Sequence, residues 1–310
     1  MPVPPASQVT VRAPAKINLG LAVGAPRPDG FHPLATVYQA VALYDDVTAV
    51  SREDGEITVE VLGDFAAEVP ADDTNLAARA ARLLQTEYDV EAGVELTIRK
   101  TIPVAGGMAG GSTDAAATLV ACNRLWGLQL TSADLERHAA VLGSDVPFCL
   151  VGHTALGRGR GEQVTEVMSR GTFHWVFAIA DGGLSTPKVY GELDRLRPLR
   201  RVEPPEVDPE LLSALLTGEP AALAPVLSND LQAAALSLRP KLGETLQFGL
   251  ERGALAAMVS GSGPTCLFLA PDSRRAVDLA VDLADSGLCR MVRQAEGPVP
   301  GARIIPGPAR

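Results

Sequence analysis

The segment PVAGGMAGGSTDAAA, residues 103–117, constrains this chain more than any other. Gly106, Gly107, Gly110 and Gly111 fall within six positions, just ahead of a run with strong helix propensity over residues 115–126. Glycine lacks a Cβ, so its backbone turns through positive φ and lets successive N–H groups approach a ligand. The helix beyond adds unpaired N–H groups and the positive end of its dipole. Such a combination holds an anion, and the usual biological anion is a phosphate. Ser112 and Thr113 add hydroxyls for a phosphate oxygen or a metal ion. A glycine-rich turn with Ser112 as helix N-cap is the alternative, but four glycines exceed what that turn needs.

Three common phosphate-binding templates fail on the letters. A P-loop needs G-x-x-x-x-G-K-[ST], and Ser112 stands where the lysine belongs after Gly106 and Gly111. The dinucleotide fingerprint needs glycines at i, i+2 and i+5, which no choice among the four satisfies. GRGRG at 157–161 and SGSG at 260–263 miss it as well. Neither an HRD-type catalytic loop nor a DFG appears. The loop belongs to another architecture.

Alternation at Val9, Val11 and Ala13 predicts a half-buried strand, and further strands are expected over 34–43, 47–50, 57–62 and 94–99. Helices are expected over 75–87, with Asp72, Asp73 and Thr74 offering capping oxygens, and over 132–142. WVFAIA, 175–180, reads as a buried strand, since no apolar run approaches the roughly 18 residues of a membrane span. The proline-rich stretch 198–209 reads as a surface connection. A strand–turn–strand unit over 254–270 bends at SGSGP, and a helix over 272–286 with a strand near Met291 closes the chain. Strands followed by helices predict an α+β fold rather than a doubly wound sheet.

A net charge of −10 argues against a nucleic-acid or anionic-membrane surface, so positive potential for an anionic ligand has to be built locally. Cys122, Cys149, Cys266 and Cys289 make no C-x-x-C, and burial in a reducing compartment is expected over a disulfide framework. The four histidines form no H-x-x-x-H pattern, so a zinc site is not expected. The proline-rich start has no apolar signal-peptide core, which points to the cytoplasm.

The loop resembles the second motif of the GHMP small-molecule kinases, P-x-x-x-G-L-G-G/A-S-S. APAKINLGLAVGAPRPDGFHPL at 13–34 is similar to the first motif of that superfamily, LGSDVPFCLVGHTALGRGRGE at 142–162 to a catalytic-aspartate segment, and VSGSGPTCLF at 259–268 to the third glycine motif. The blocks at 13–34 and 142–162 resemble the branch whose acceptor is a cytidine-diphosphate-linked methylerythritol. All four stand in family order. Ala105 and Ala109 replace glycines frequent in the family and are tolerable only at negative φ. Met108 replaces a leucine, and Phe31 a frequent tyrosine.

The resemblance implies two lobes, a ribosomal-protein-S5-domain-2-like N-terminal lobe over 1–160 and a ferredoxin-like C-terminal lobe over 161–310, with the site in the cleft between them. It also implies transfer of a phosphoryl group from ATP, with Mg²⁺, to the 2-hydroxyl of that cytidyl alcohol. Other acceptors, such as homoserine, mevalonate, phosphomevalonate or galactose, and a non-catalytic nucleotide-binding regulator stay open. Asp145 is the expected base or orienter of the hydroxyl, although a turn aspartate bonding its own backbone is the ordinary reading. Lys16 is the expected partner of Asp145, although on composition it reads as any strand-end lysine. An opposite charge favours the ionised carboxylate, which suits orientation more than proton abstraction.

ATP is assigned to Pro103, Val104, Ala105, Gly106, Gly107, Met108, Ala109, Gly110, Gly111, Ser112 and Thr113, with Asn75 and Lys100. His32 is assigned to the cytosine edge, and Phe31 or Tyr190 to its face, with an ordinary core aromatic the equal alternative for Phe31. Asn18, Thr186 and the 157–161 backbone are assigned to the erythritol and diphosphate. Arg158 and Arg160 are candidates for phosphate contact or for plain solvation. Metal ligands remain unassigned.

Overall fold

The computed structural model describes residues 7–197 and 202–306. The reading of the first six residues, and of the opening of the 198–209 connection, lies outside them. Strands β1 (Gln8–Val23), β2 (Leu34–Arg52), β3 (Ile57–Gly63) and β4 (Gly93–Lys100) build the first lobe with helices α1 (Leu76–Glu87), α2 (Gly110–Leu125), α3 (Ser132–Leu142) and α4 (Val146–Val151). A hairpin follows, β5 (Thr154–Arg158) with β6 (Gln163–Glu166), then β7 (Phe173–Ile179). Helices α5 (Thr186–Leu196), α6 (Pro209–Thr217) and α7 (Pro220–Leu223), the two-residue strand β8 (Ser228–Asn229), and α8 (Gln232–Leu238) and α9 (Lys241–Glu251) come next. The chain ends with β9 (Ala256–Val259), β10 (Cys266–Ala270), α10 (Ser273–Asp285), β11 (Met291–Gly297) and β12 (Arg303–Ile305).

Among the described residues the first sheet runs β12-β1-β2-β4-β3, with β5 on β2, β6 on β5 and β8 on β1. The second runs β11-β7-β10-β9, all antiparallel. Counted within the lobe that order is 4-1-3-2, the ferredoxin-like arrangement. The chain is therefore α+β and two-lobed. The 160/161 division falls inside the turn of the β5–β6 hairpin, and β12 returns from the far end of the chain to pair with β1.

Local signals misjudged several boundaries. β1 runs on past the alternation at Val9, Val11 and Ala13 to Val23, because pairing with β2 carries it through register shifts at Pro14/Ala15 and Asn18/Gly20. The strands expected at 34–43 and 47–50 are one, since Asp45 is bonded within the fold rather than solvated at a turn. α1 is capped by Asn75, whose side chain accepts from the Ala77 N–H, not by residues 72–74. α2 begins at Gly110, five residues before the helix-favouring run.

Apolar residues of the first half of β1 pack with α1 and α2 (Val9, Val11, Ala80, Leu84, Leu119), while Ile17 and Leu19 join Phe173, Trp175 and Leu267 of the second lobe. This second cluster welds the lobes. Within it Trp175 Nε1 donates to Gln39 Oε1 at 2.9 Å, both side chains fully buried. Trp175→Phe replaces the indole with a smaller phenyl ring and strands the Gln39 oxygen. The expected cost is about 1–3 kcal/mol of unfolding free energy, read from urea denaturation at equilibrium.

Candidate active site

β4 carries the chain to Pro103, and the glycine segment then turns into α2. Ala109 is the residue before the helix, left-handed at φ 61, and no side chain caps the helix. The Ser112 N-cap alternative therefore falls: Ser112 lies inside the first turn. The first turn of this 16-residue helix opens onto a cavity of about 930 Å³, lined among others by Gly106, Gly107, Gly110, Gly111 and Ser112. Unpaired N–H groups and the helix dipole at such an opening suit an anion.

The loop is braced from two sides. Gly107, at φ +77, packs so closely on the Ser260 carbonyl that a Cβ there would collide with it, and Ser260 Oγ donates to Gly107 O at 3.1 Å. The SGSG turn is held in turn by Asn229, whose amide donates to the carbonyls of Val259 and Gly261, both at 2.8 Å. Beneath the helix start, the Lys100 ammonium donates to Asp45 at 2.6 Å and Asp114 at 2.7 Å, all three side chains buried. A Cβ on Gly110 would stand 2.8 Å from that ammonium. Burial works against the Lys100 charge, but Asp114 and Asp45 outweigh it and hold the ammonium above its ordinary range. Burial lifts the Asp114 carboxyl well above the carboxylate range against the pull of Lys100, and its Oδ1 has no hydrogen-bond partner.

Opposite the loop, Lys16 Nζ lies 3.5 Å from Asp145 Oδ2 and donates to Asn18 Oδ1 at 2.8 Å. Asn18 donates to Thr36, which donates to the Gly20 carbonyl, so the ammonium sits at the end of a fixed chain. The two register shifts in β1 bracket Lys16 and Asn18, and such irregularities re-aim side chains beside sites. Asp145 precedes α4 but makes no capping bond to it, which removes the turn-aspartate alternative. Its Oδ1 accepts instead from the Tyr38 hydroxyl at 3.1 Å.

The third wall is aromatic. The His32 ring is nearly buried, hydrogen-bonds Asp194 at 3.0 Å and lies 5.0 Å from the Tyr190 ring. Burial first, then the Asp145 charge, pushes the Tyr190 hydroxyl above its usual range. Phe31 is half exposed, with the Arg160 guanidinium 4.8 Å over its ring, which disfavours both a core aromatic and a freely solvated arginine. Phe31, His32, Tyr190, Asp194 and Arg160 all line the cavity.

Comparison with known proteins agrees with this geometry. Residues 75–153 match the family described as GHMP kinases N terminal domain, and residues 211–287 match GHMP kinases C terminal. The chain belongs to the GHMP kinases. It is 55% identical over 308 residues to the 4-diphosphocytidyl-2-C-methyl-D-erythritol kinase of Mycolicibacterium gilvum, covering 98% of this chain and 95% of that one. It is 57% identical to the protein of the same name from Streptomyces avermitilis, covering 96% and 99%. A solved 4-(cytidine 5'-diphospho)-2C-methyl-D-erythritol kinase superposes with TM-score 0.74 at 31% identity, over 93% of this chain and 98% of that one. A homoserine kinase from Cytophaga hutchinsonii reaches the same TM-score at 17% identity, a likeness of fold alone.

Within this GHMP kinase, the expected residues divide between the cavity wall and the scaffold behind it. Pro103, Ala105 and Ala109 line the cavity with the glycines, but Ala105 and Ala109 stand at φ 50 and 61, against the negative φ expected of them. Each left-handed alanine costs about 1–2 kcal/mol, which the bracing of the loop overrides. Met108 turns its side chain into the interlobe core, and the buried Thr113 hydroxyl donates to the Pro14 carbonyl. Asn75 is committed to capping α1 and to the Pro70 carbonyl, and Lys100 to its two aspartates, so neither side chain reaches the cavity wall. Val104 is half-buried and off that wall. Thr186 lines it, its hydroxyl paired with Ser262 at 2.9 Å.

Tyr38, Asp194 and Ser262 were not legible as site residues. Tyr38 in particular reads as one more apolar position of β2. Among the described residues no group of three or more His, Cys, Asp or Glu side chains is arranged to hold a metal ion. Lys100→Met leaves two buried carboxylates without their counter-charge. A loss of about 3–5 kcal/mol in unfolding free energy is expected. A stable Lys100→Met protein with weakened nucleotide binding alone would return Lys100 to the nucleotide.

Proposed function

We propose that this GHMP kinase transfers the γ-phosphoryl group of ATP to the 2-hydroxyl of 4-diphosphocytidyl-2-C-methyl-D-erythritol, a step toward isoprenoid precursors. The observation that carries the reading is that the Lys16–Asp145 pair opens into the same cavity as the uncapped α2 N-terminus and the Phe31–His32 turn. Relatives of that name, more than half identical over nearly the whole chain, support the acceptor.

Phosphoryl transfer asks for clamped phosphates, an aligned hydroxyl and stabilised charge. The backbone of 106–111 and the Ser112 hydroxyl hold the triphosphate. Asp145 aligns the acceptor hydroxyl and takes its proton as the new P–O bond forms and ADP leaves. Lys16 stabilises negative charge gathering on the acceptor oxygen and the transferred group. His32 reads the cytosine edge while Phe31 and Tyr190 offer ring faces, and a base stacked on an aromatic gains about 1–3 kcal/mol. Asn18 and Thr186 face the erythritol and diphosphate.

Mg²⁺, which would neutralise phosphate charge when bound, fits as a companion of the nucleotide, with the Ser112 hydroxyl, which lines the cavity, and the phosphates themselves to hold it. Among the described residues no helix is long and apolar enough to cross a membrane. The four free cysteines, three of them buried, support a reducing cytoplasm.

Turnover measured across the cytidyl alcohol, homoserine, mevalonate and galactose tests the reading, and preference for any of the last three overturns it. Asp145→Asn is expected to keep affinity for a non-hydrolysable ATP analogue while kcat falls about 10²–10⁴-fold.

A further inference from the structure

The GRGRG run at 157–161 was assigned through its backbone to the substrate's diphosphate, yet its glycines have a different neighbour. A Cβ on Gly157 would lie 2.5 Å from Tyr38 Cε2, and one on Gly161, at φ +108, would collide with the Tyr38 hydroxyl. The β5–β6 hairpin is therefore cut away to seat a tyrosine. Tyr38 sits in β2 between Asn18 of β1 and Ala155 of β5, is 2% exposed, and packs its ring 4.8 Å from Phe148. Tyr38 lines the cavity.

We propose that Tyr38 is the positioning residue of the Asp145 carboxylate: its phenol holds Oδ1, so that Oδ2, beside Lys16, meets the acceptor hydroxyl. The inference rests on the transfer chemistry proposed above. Asp145 makes no capping bond to α4, and its ion pair with Lys16 is 3.5 Å long. Among the described residues the Tyr38 hydroxyl is the side-chain donor hydrogen-bonded to that carboxylate, at 3.1 Å. An aspartate side chain turns about two bonds, and an ion pair alone leaves it room to swing. A phenol locked by its own packing removes that freedom. It is also a permanent donor, because burial and then the Asp145 charge hold the Tyr38 proton well above the ordinary phenol range.

The groups around the carboxylate come from several elements: Lys16 from β1, Tyr38 from β2, Cys149 from α4 and Tyr190 from α5, with His32 and Arg160 on the same cavity wall. Burial pushes the Cys149 thiol up to about 12, so it stays neutral alongside the two phenols. Tyr38 is thus the neutral, directional donor to the carboxylate and Lys16 its charged neighbour.

Tyr38→Phe removes one oxygen and keeps the ring. Steady-state kinetics should show kcat about tenfold lower with KM for ATP and acceptor within about twofold. The thermal midpoint should stay near wild type. An unchanged kcat overturns the proposal, as does a fall in kcat matched by raised KM for both substrates. A ¹³C-aspartate NMR spectrum of substrate-free protein at one fixed pH reads the same contact without turnover. The Asp145 carboxyl resonance should move in Tyr38→Phe, and an identical resonance in both proteins overturns the proposal. Failure of the wild type to phosphorylate the cytidyl alcohol would sink the proposed function and leave that spectrum standing.

Discussion

A single buried ammonium carries the glycine loop. Lys100 bridges Asp45 of β2 and Asp114 of α2, and Asp45 also accepts from the backbone N–H groups of Thr101 and Ile102. One knot therefore ties the central sheet, the approach to the glycine segment and the first turns of the helix whose N-terminus is uncapped. Buried charge clusters are costly to form and rarely justified by stability alone. Here the arrangement fixes where the free N–H groups lie while leaving them unpaired. The strain of two left-handed alanines is tolerable only on such a base.

The second lobe completes what the first cannot hold alone. Its SGSG turn stands behind Gly107 and close to Lys16, so the glycine loop and the Lys16–Asp145 pair share one support. Trp175 crosses between the lobes to Gln39, and the apolar cluster around it makes the cleft a fixed feature of the packed chain. On the substrate side, polar groups are paired before any ligand arrives: His32 with Asp194, Thr186 with Ser262, Asp145 with Tyr38 and Lys16. Preorganised groups of this kind need little rearrangement when charge develops.

Much of this was legible along the chain. The glycine segment, the Lys16 and Asp145 blocks and the SGSG turn each carry a local pattern, and backbone-specific motifs survive as letters. The lettering was less informative about side chains facing away from the ligand. Asn75, Lys100, Met108 and Thr113 lie in segments next to the site, yet their side chains serve the scaffold behind it. Nothing in a linear pattern distinguishes a lysine beneath a loop from one above it, because the difference is two aspartates 55 and 14 residues away.

By itself the sequence determined an α+β chain with a glycine-rich loop outside the P-loop and dinucleotide classes, since glycine spacing and apolar periodicity are local properties. Only the tertiary structure decided that α2 starts uncapped at Gly110, that Lys100 lies under it, and that Tyr38 reaches Asp145 through space cleared by Gly157 and Gly161. The Tyr38 contact joins residues 107 positions apart. It exists because β5 pairs with β2 and brings a notch of two glycines against one ring, a complementarity of shape that no stretch of either strand carries alone.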